Sequence, residues 1–223
     1  TRNSLILLLT AAIWGMAFVS QSKGMDYMHP FTFNGVRSLI GAASILVYIL
    51  ISRKIAGDKA APLDWKLNVK AGLLCGIFLT IASTLQQFGI KYTSVGKAGF
   101  ITTLYIIFVP MFGIFLKKKV APVVWAAAVM AAVGMYLLCM TESLRLGAGD
   151  IMVFLCAIAF AIQIMTVDHY AARIDGAVVS CIQFTVCGVV CCIGALIWGQ
   201  PTFGQLQEGL GALLYACLLY TSD

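Results

Sequence analysis

The sequence has 223 residues, of which 61% are hydrophobic and only 11% are charged. A soluble domain carries charge on about a quarter of its residues, so this chain has too few charged side chains to cover a surface that faces water. The net charge of +6 comes from lysines and arginines in short segments between apolar runs, not from one basic face, which argues against a nucleic-acid partner.

Seven apolar runs are each long enough to cross a bilayer as a helix, which takes about 20 residues. In chain order they are Ser4–Ser20, Phe33–Ile51, Val69–Phe88, Ala98–Leu116, Val120–Met140, Ile151–Val167 and Val178–Trp198. An eighth run begins near Leu206 and is too short to cross before the sequence ends. Because strand-like alternation is absent, the runs predict an all-α membrane protein, a bundle of many helices.

Pro110 lies inside the fourth run, whereas the other prolines fall at or near the ends of runs. Proline lacks a backbone N–H, so we expect a kink in the fourth helix or a freed carbonyl there. Irregular backbone of this kind is tolerated in a membrane where it lines a cavity.

The sequence offers many cysteines but no recognisable catalytic or metal site. The eight cysteines are Cys75, Cys139, Cys156, Cys181, Cys187, Cys191, Cys192 and Cys217. All lie within apolar runs without zinc-ligand spacing to histidine, which predicts small buried hydrophobic residues and neither disulfides nor a metal centre. With no nucleophile–base constellation or phosphate loop either, we expect no enzyme and no cofactor.

Lysine and arginine are distributed unevenly between the two sides that the runs define. With a cytoplasmic N-terminus, the inside segments hold ten of them and the outside segments hold four, while Arg37 lies within the second run. Positive residues accumulate on the cytoplasmic side, so we expect a multi-pass protein of the cell's inner (plasma) membrane with its N-terminus in the cytoplasm.

The chain also shows a weak internal repeat. With a shift of 146 positions, Ala11–Gly15 aligns with Ala157–Ala161, and Arg37 aligns with Gln183. The first helix therefore matches the sixth. Because five helices per repeat is an odd number, the second copy must be inserted upside down, which predicts two inverted five-helix repeats with the second truncated.

Three groups of motifs occur in a characteristic order. Ala12–Phe18 precedes His29–Pro30 and Arg37, Gln86–Phe100 leads to Val109–Pro110, and Gly149–Asp150 opens a segment that reaches Gln183. Together they resemble the drug/metabolite transporter superfamily in its EamA-type branch. The resemblance implies ten helices, both termini in the cytoplasm and a central path for small solutes. Many members place a glutamate shortly after the fourth helix, where this chain has Lys117–Lys119.

The resemblance sets the expected domains and function. Residues 1–140 would form a first EamA-type repeat of five helices, and residues 147–223 an incomplete second repeat, so the protein is expected to continue for about two and a half more helices. It would move a small metabolite or drug-like solute across the inner membrane, by export or exchange through alternating access. Its partners would be the solute, the lipid bilayer and, as an open alternative, a second copy in a homodimer. A non-transporting membrane assembly subunit and an intramembrane enzyme remain alternatives.

We expect helices one, three, four and six to surround the solute path. Inverted repeats place the site near the membrane midplane at their interface, and polar groups in mid-helix would be costly if they faced lipid. The candidate substrate-binding residues are Trp14, Gln86, Gln87, Lys97, Tyr105 and Gln163. Adjacent residues point about 100° apart on a helix, so at most one of the two glutamines faces the path squarely. No carboxylate lies in the middle of a run, so a proton carrier is not visible.

Other residues allow two interpretations each. Arg37 either has a functional role inside the membrane or extends its charged group to the membrane–water interface as a structural anchor. The helix start at Gly96–Gly99 either binds an anion with Lys97 or is a close-packed N-terminus. Asp168 and His169 either relay protons or begin a solvated loop. Gly72 and Gly76 form a GxxxG pattern, which predicts helix packing.

Overall fold

A computed structural model describes residues 2–56, 64–115, 122–139, 147–199, 201–209, 211 and 213, with side chains of the first helix described from residue 15 onward. These residues form helices, with no strand in the described part of the chain. The helices are α1 (Arg2–Tyr27), α2 (Pro30–Ala56), α3 (Trp65–Tyr92), α4 (Val95–Thr103), α5 (Tyr105–Phe115), α6 (Pro122–Cys139), α7 (Ala148–Tyr170), α8 (Gly176–Gly194) and α9 (Phe203–Glu208). The predicted all-α fold class is confirmed.

Five helical segments among the described residues are long and apolar enough to cross a membrane. They are Pro30–Ile55, Trp65–Tyr92, Val95–Ile114, Ala148–Arg173 and Gly176–Gly199. The first and fifth predicted runs are helical too, as α1 and α6, but neither is among these five. Their crossing of the membrane stays a prediction.

The helices α2, α3, α7 and α8 alternate in direction, and α4 and α5 follow one another along a single span, so the bundle has two distinct ends. At what we call the packed end, α1, α3 and α8 finish while α2, α4 and α7 begin. The opposite end, which we call the cavity end, brings Arg53 of α2 within 3.7 Å of Asp175, the residue that caps α8. The most extensive helix contacts are those of α3 with α7, α2 with α8, and α3 with α8. Helix α3 is therefore central to the fold.

Close packing of α3 on α8 depends on Gly72 and Gly76. A Cβ atom added to Gly72 would lie 2.7 Å from the Ile182 side chain, and one added to Gly76 would lie 2.8 Å from Cβ of Val186. Neither position has room for a side chain without movement of α8. The packing role predicted from the GxxxG pattern is confirmed.

Two helices depart from regular α geometry. The fourth predicted run is divided at Leu104, where the Leu104 N–H bonds to the Ile101 carbonyl in a tighter turn before α5 begins. Pro110 lies inside α5, six residues after this break. The break is therefore on the N-terminal side of the proline, which is also the side on which the proline ring would clash with a backbone carbonyl. At the other departure, α8 continues into a π-helical segment, Ala195–Gly199, at the packed end.

Candidate functional site

A cavity of about 470 Å³ opens between α3, α5 and α7 at the cavity end. Its lining residues are Leu74, Phe112, Ile162, Met165, Thr166, His169 and Tyr170. The five contributed by α7 recur every three or four residues, so they share one face of that helix. Three of the four helices predicted to surround the solute path therefore border the cavity, since α3, α5 and α7 belong to the third, fourth and sixth predicted runs.

Polar and aromatic groups lie beside this cavity in the middle of the bundle. Gln163, next to the lining residue Ile162, donates from Nε2 to Oε1 of Gln183 on α8 at 3.1 Å. The Tyr105 ring lies 6.5 Å from the Phe160 ring of α7, measured between centroids. Two of the predicted site residues, Tyr105 and Gln163, thus lie on helices that border the cavity, although neither lines it directly.

Gln86 and Gln87 point toward different helices, as their angular separation predicts. Gln86 donates to the Thr102 hydroxyl of α4 at 3.4 Å, whereas Gln87 donates to the backbone carbonyl of Gln21 in α1 at 3.3 Å. Both glutamines are buried, and Gln87 is completely inaccessible. Within the described part of the chain, Oε1 of Gln87 has no hydrogen-bond partner. Only Gln86 approaches the side of α3 that faces α4.

Lys97 lies at the packed end, in the first turn of α4. The Ser94 side chain caps this helix by accepting from the Lys97 N–H at 3.3 Å. The charge of Lys97 acts on Asp150, a carboxylate buried at the start of α7. Asp150 in turn accepts from the Thr93 hydroxyl and from the Gly147 N–H. An acidic group of the chain itself therefore already lies near Lys97.

Trp14 is part of α1, but its side chain lies outside the described residues. Asp168 and His169 are exposed in the last turn of α7, so they belong to the helix and not to a loop. Of the two, His169 lines the cavity. The sequence held one signal for this arrangement, a polar stripe of Gln163, Thr166 and Tyr170 at helical spacing within an apolar run.

Arg37 does not extend to the interface, because its side chain is only 4% exposed. Its guanidinium donates to Oδ1 of Asn34 at 3.1 Å, and Asn34 donates to the Ser83 carbonyl of α3 at 2.9 Å. The interpretation as an interfacial anchor is therefore wrong. The hydrogen-bond acceptor of Arg37, Asn34, lies on α2 itself, and α3 contributes the Ser83 carbonyl that holds Asn34 in place.

Four of the cysteines are buried, as predicted: Cys75, Cys156, Cys187 and Cys191. Cys181 and Cys192 are only partly buried, whereas the side chains of Cys139 and Cys217 lie outside the described residues. Cys187 also contacts hydroxyl groups, with Ser38 and Ser83 each 3.4 Å from its sulfur. It therefore joins α2, α3 and α8 through hydrogen bonds as well as by hydrophobic packing.

Four ring-bearing residues cluster at the packed end. The Phe31 ring lies 5.3 Å from that of Phe88 and 5.7 Å from that of Trp198, while His29 lies 5.6 Å from both phenylalanine rings. Burial lowers the pKa of His29 below its ordinary value, and the positive charge of Lys91 lowers it further. We call these four residues, His29, Phe31, Phe88 and Trp198, the aromatic cluster.

Comparison with known proteins identifies the family of the chain. Residues 2–140 match the model of the EamA-like transporter family. An uncharacterized transporter from Archaeoglobus fulgidus is 31% identical over 171 residues, which cover 74% of this chain and 48% of that protein. The chain thus spans about half the length of this curated relative. Because the family model covers more than half of the sequence, the chain belongs to the EamA-like transporter family of the drug/metabolite transporter superfamily.

Proposed function

We propose that this chain is part of an inner-membrane transporter that moves a small metabolite or drug-like solute, by export or exchange through alternating access. The main support is the cavity between α3, α5 and α7, with the partly buried Gln163–Gln183 pair beside it. Its volume of about 470 Å³ lies within the roughly 300–1,000 Å³ range of small-molecule sites. Membership in a family of transporters, rather than of enzymes, favours the same function.

We further propose two inverted five-helix repeats, with residues 1–140 forming the first and residues 147–223 part of the second. The internal alignment makes α2 equivalent to α8, and these two helices pack extensively on one another. A twofold axis between the repeats would bring equivalent helices together in this way. The packing therefore adds a structural observation to the weak sequence identity on which the repeat proposal rests.

The proposed orientation places the cavity end in the cytoplasm. Arg53, Lys54, Lys66 and Lys70 lie toward this end of α2 and α3, whereas Lys23, Lys91 and Lys97 lie toward the packed end. The excess of positive residues on one side supports a cytoplasmic N-terminus. In this orientation the cavity is open to the cytoplasm and the aromatic cluster faces the outside.

Cysteine labelling tests the orientation. A cysteine replaces Lys59, in the segment between α2 and α3, within a complete protein from which the native cysteines have been removed. We expect an impermeant thiol reagent to label it only after the membrane is opened. Labelling from outside in intact cells would overturn the orientation.

Cross-linking of the same membranes tests the proposed homodimer, for which a product of twice the chain mass is expected.

A transport assay tests the function and the proposed substrate-binding residues. Cells that express the complete protein are compared with cells that carry an empty vector, and solutes released or taken up are identified by mass spectrometry. No difference for any solute would contradict the transport proposal. With a solute in hand, Tyr105→Phe and Gln163→Leu remove polar contacts while keeping approximate size.

We expect each of these two variants to change the apparent affinity or rate by about threefold to tenfold, the value of one hydrogen bond. Tyr48→Phe is the matched control, because Tyr48 is 64% exposed on α2. Unchanged affinity and rate in both test variants would show that the assignment of Tyr105 and Gln163 is wrong. The same assay on variants of Trp14, Gln86, Gln87 and Lys97 extends it to the remaining candidates.

A further inference from the structure

The cavity between α3, α5 and α7 is polar at one end only. Along α7, the apolar lining residues Ile162 and Met165 come before Thr166, His169 and Tyr170, which lie nearer the cavity end. The other two helices contribute Leu74 of α3 and Phe112 of α5, both apolar. Ile162 and Tyr170 are eight residues apart, so the lined face of α7 is about 12 Å long. A ligand that fills it would need an apolar body inside and a polar group at the mouth.

The polar groups at the mouth can form hydrogen bonds with a ligand. The Thr166 hydroxyl donates to the Ile162 carbonyl at 2.8 Å, so its oxygen remains available as an acceptor. The His169 ring meets the Tyr170 ring edge to face, with 4.9 Å between centroids. These groups suit a ligand hydroxyl, amine or amide.

Among the residues that the structure describes, the lining of the cavity includes no aspartate, glutamate, lysine or arginine. A charged group placed deep in the cavity would lose its water without gaining an opposite charge, which is costly. Aromatic rings from two helices, Phe112 of α5 and Tyr170 of α7, favour a flat apolar body, because rings stack offset or edge to face.

We propose that this cavity binds a neutral, amphipathic solute with an aromatic body and a single hydrogen-bonding end. The proposal rests on the transport function proposed above and specifies the class of its substrate. The aromatic body lies between Leu74, Phe112 and Ile162, and the polar end meets Thr166 and His169.

Binding of tritiated naphthol to the full chain in lipid nanodiscs tests the proposal. Naphthol has two fused rings and one hydroxyl, and subtraction of empty nanodiscs removes its partition into lipid. We expect saturable binding that naphthalene sulfonate and decanol displace weakly. If the sulfonate displaced tritiated naphthol as well as unlabelled naphthol does, the proposal that the ligand is neutral would be wrong. If decanol did so, the cavity would be a groove for lipid chains.

Two pairs of variants locate the binding. Leu74→Trp places a larger side chain in the cavity and should weaken naphthol binding by about tenfold or more. The reason is that naphthol would lose apolar contact area equal to about one side chain. Leu73→Trp is its control, because Leu73 is 46% exposed on the same helix and does not line the cavity. Equal losses in both tryptophan variants would place the naphthol elsewhere.

Thr166→Val should weaken binding by about fivefold, since it removes one hydrogen bond and keeps the side-chain shape. Thr185→Val is the matched control, because the Thr185 hydroxyl also donates to the carbonyl four residues before it, at 2.7 Å, but on an exposed face of α8. Equal affinity in the two threonine variants would overturn the role of Thr166 as the polar contact.

The outcome separates this proposal from the transport proposal. If the complete protein transports a solute but naphthol shows no saturable binding, the ligand class is wrong and the transport function stands. Saturable binding that Leu74→Trp abolishes supports the ligand class even if the transport assay finds no solute.

Discussion

The two ends of the helix bundle are built differently. At the packed end, the aromatic cluster and direct backbone contacts close the space between helices. At the cavity end, a volume of about 470 Å³ stays open between α3, α5 and α7, while α2, α3 and α8 are joined there by hydrogen bonds and an ion pair. The alternating access proposed above would require such an inequality between the two ends.

The difference also concerns how each end is held together. Backbone contacts of glycines at the packed end leave no space for an added atom, so even one added methyl group there should lower the stability of the fold. At the cavity end, the Arg53–Asp175 ion pair is exposed and contributes little, and a hydrogen bond from the Asp175 N–H to Asn68 joins α8 to α3. We therefore expect substitutions at the packed end to cost more stability than comparable substitutions at the cavity end.

The largest effect is expected for Gly149→Ala at the packed end. An added Cβ would lie 2.7 Å from the backbone carbon of Tyr92 and 2.9 Å from the Gly89 carbonyl oxygen, and backbone atoms cannot move aside cheaply. We expect a loss of about 2 kcal/mol in the free energy of unfolding, measured by denaturant titration in detergent. Gly99→Ala is the control, because no atom lies within 4 Å of its added Cβ. A loss for Gly99→Ala as large as that for Gly149→Ala would contradict close packing as the cause.

Asp150→Asn should have the next largest effect. The buried carboxylate accepts from the Thr93 hydroxyl and from the Gly147 N–H, and Asp150→Asn removes its negative charge from the first turn of α7, where the helix dipole favours an anion. We expect a loss of about 1–2 kcal/mol by the same titration. Asp26→Asn removes an exposed carboxylate from α1 and serves as the control. If Asp150→Asn is as stable as that control, Asp150 does not join α3 to α7.

At the cavity end, Asp175→Ala should cost about 1 kcal/mol, and Arg53→Gln less than about 0.5 kcal/mol. Asp175 accepts from the Ala177 and Val178 N–H groups and so caps α8, whereas its ion pair with Arg53 is 3.7 Å long and about 40% exposed. Unfolding measurements on the two variants separate the cap from the ion pair. A larger loss for Arg53→Gln would reverse our assignment of the main interaction.

The smallest expected effect is the pH dependence of the packed end. The pKa of His29 is lowered by burial and by Lys91, so the folded protein binds fewer protons at this site than the unfolded chain. The stability from neutral His29 is present above about pH 6.5 and is lost as pH falls toward the lower pKa of the folded state. Melting temperatures at pH 8 and pH 5 should differ more for the native protein than for His29→Gln. An identical difference would show that other groups carry the pH dependence.

Local pattern was enough to predict most of the helices. Each helix could be predicted because a long apolar run is a property of a single segment. The GxxxG pattern is also local, so the contact of Gly72 with a neighbouring helix could be predicted too. The opposing directions of Gln86 and Gln87 follow from helix geometry in the same way.

Features that depend on several helices at once were harder to predict. The burial of Arg37 requires the Ser83 carbonyl of α3 to position Asn34, and the cavity exists only where side chains of three helices leave space. The break at Leu104 was expected nearer to Pro110, because the sequence does not show which preceding turn will yield to the proline.

The π-helical segment Ala195–Gly199 has a consequence for changes in chain length. A π turn holds about one residue more than an α turn, so deletion of one residue here can be absorbed by a return to regular α geometry. Deletion of one residue in the middle of α8 would instead rotate every later side chain by about 100° and move Trp198 away from Phe31. The gene can therefore lose a single codon in this segment at less structural cost than anywhere earlier in the same helix.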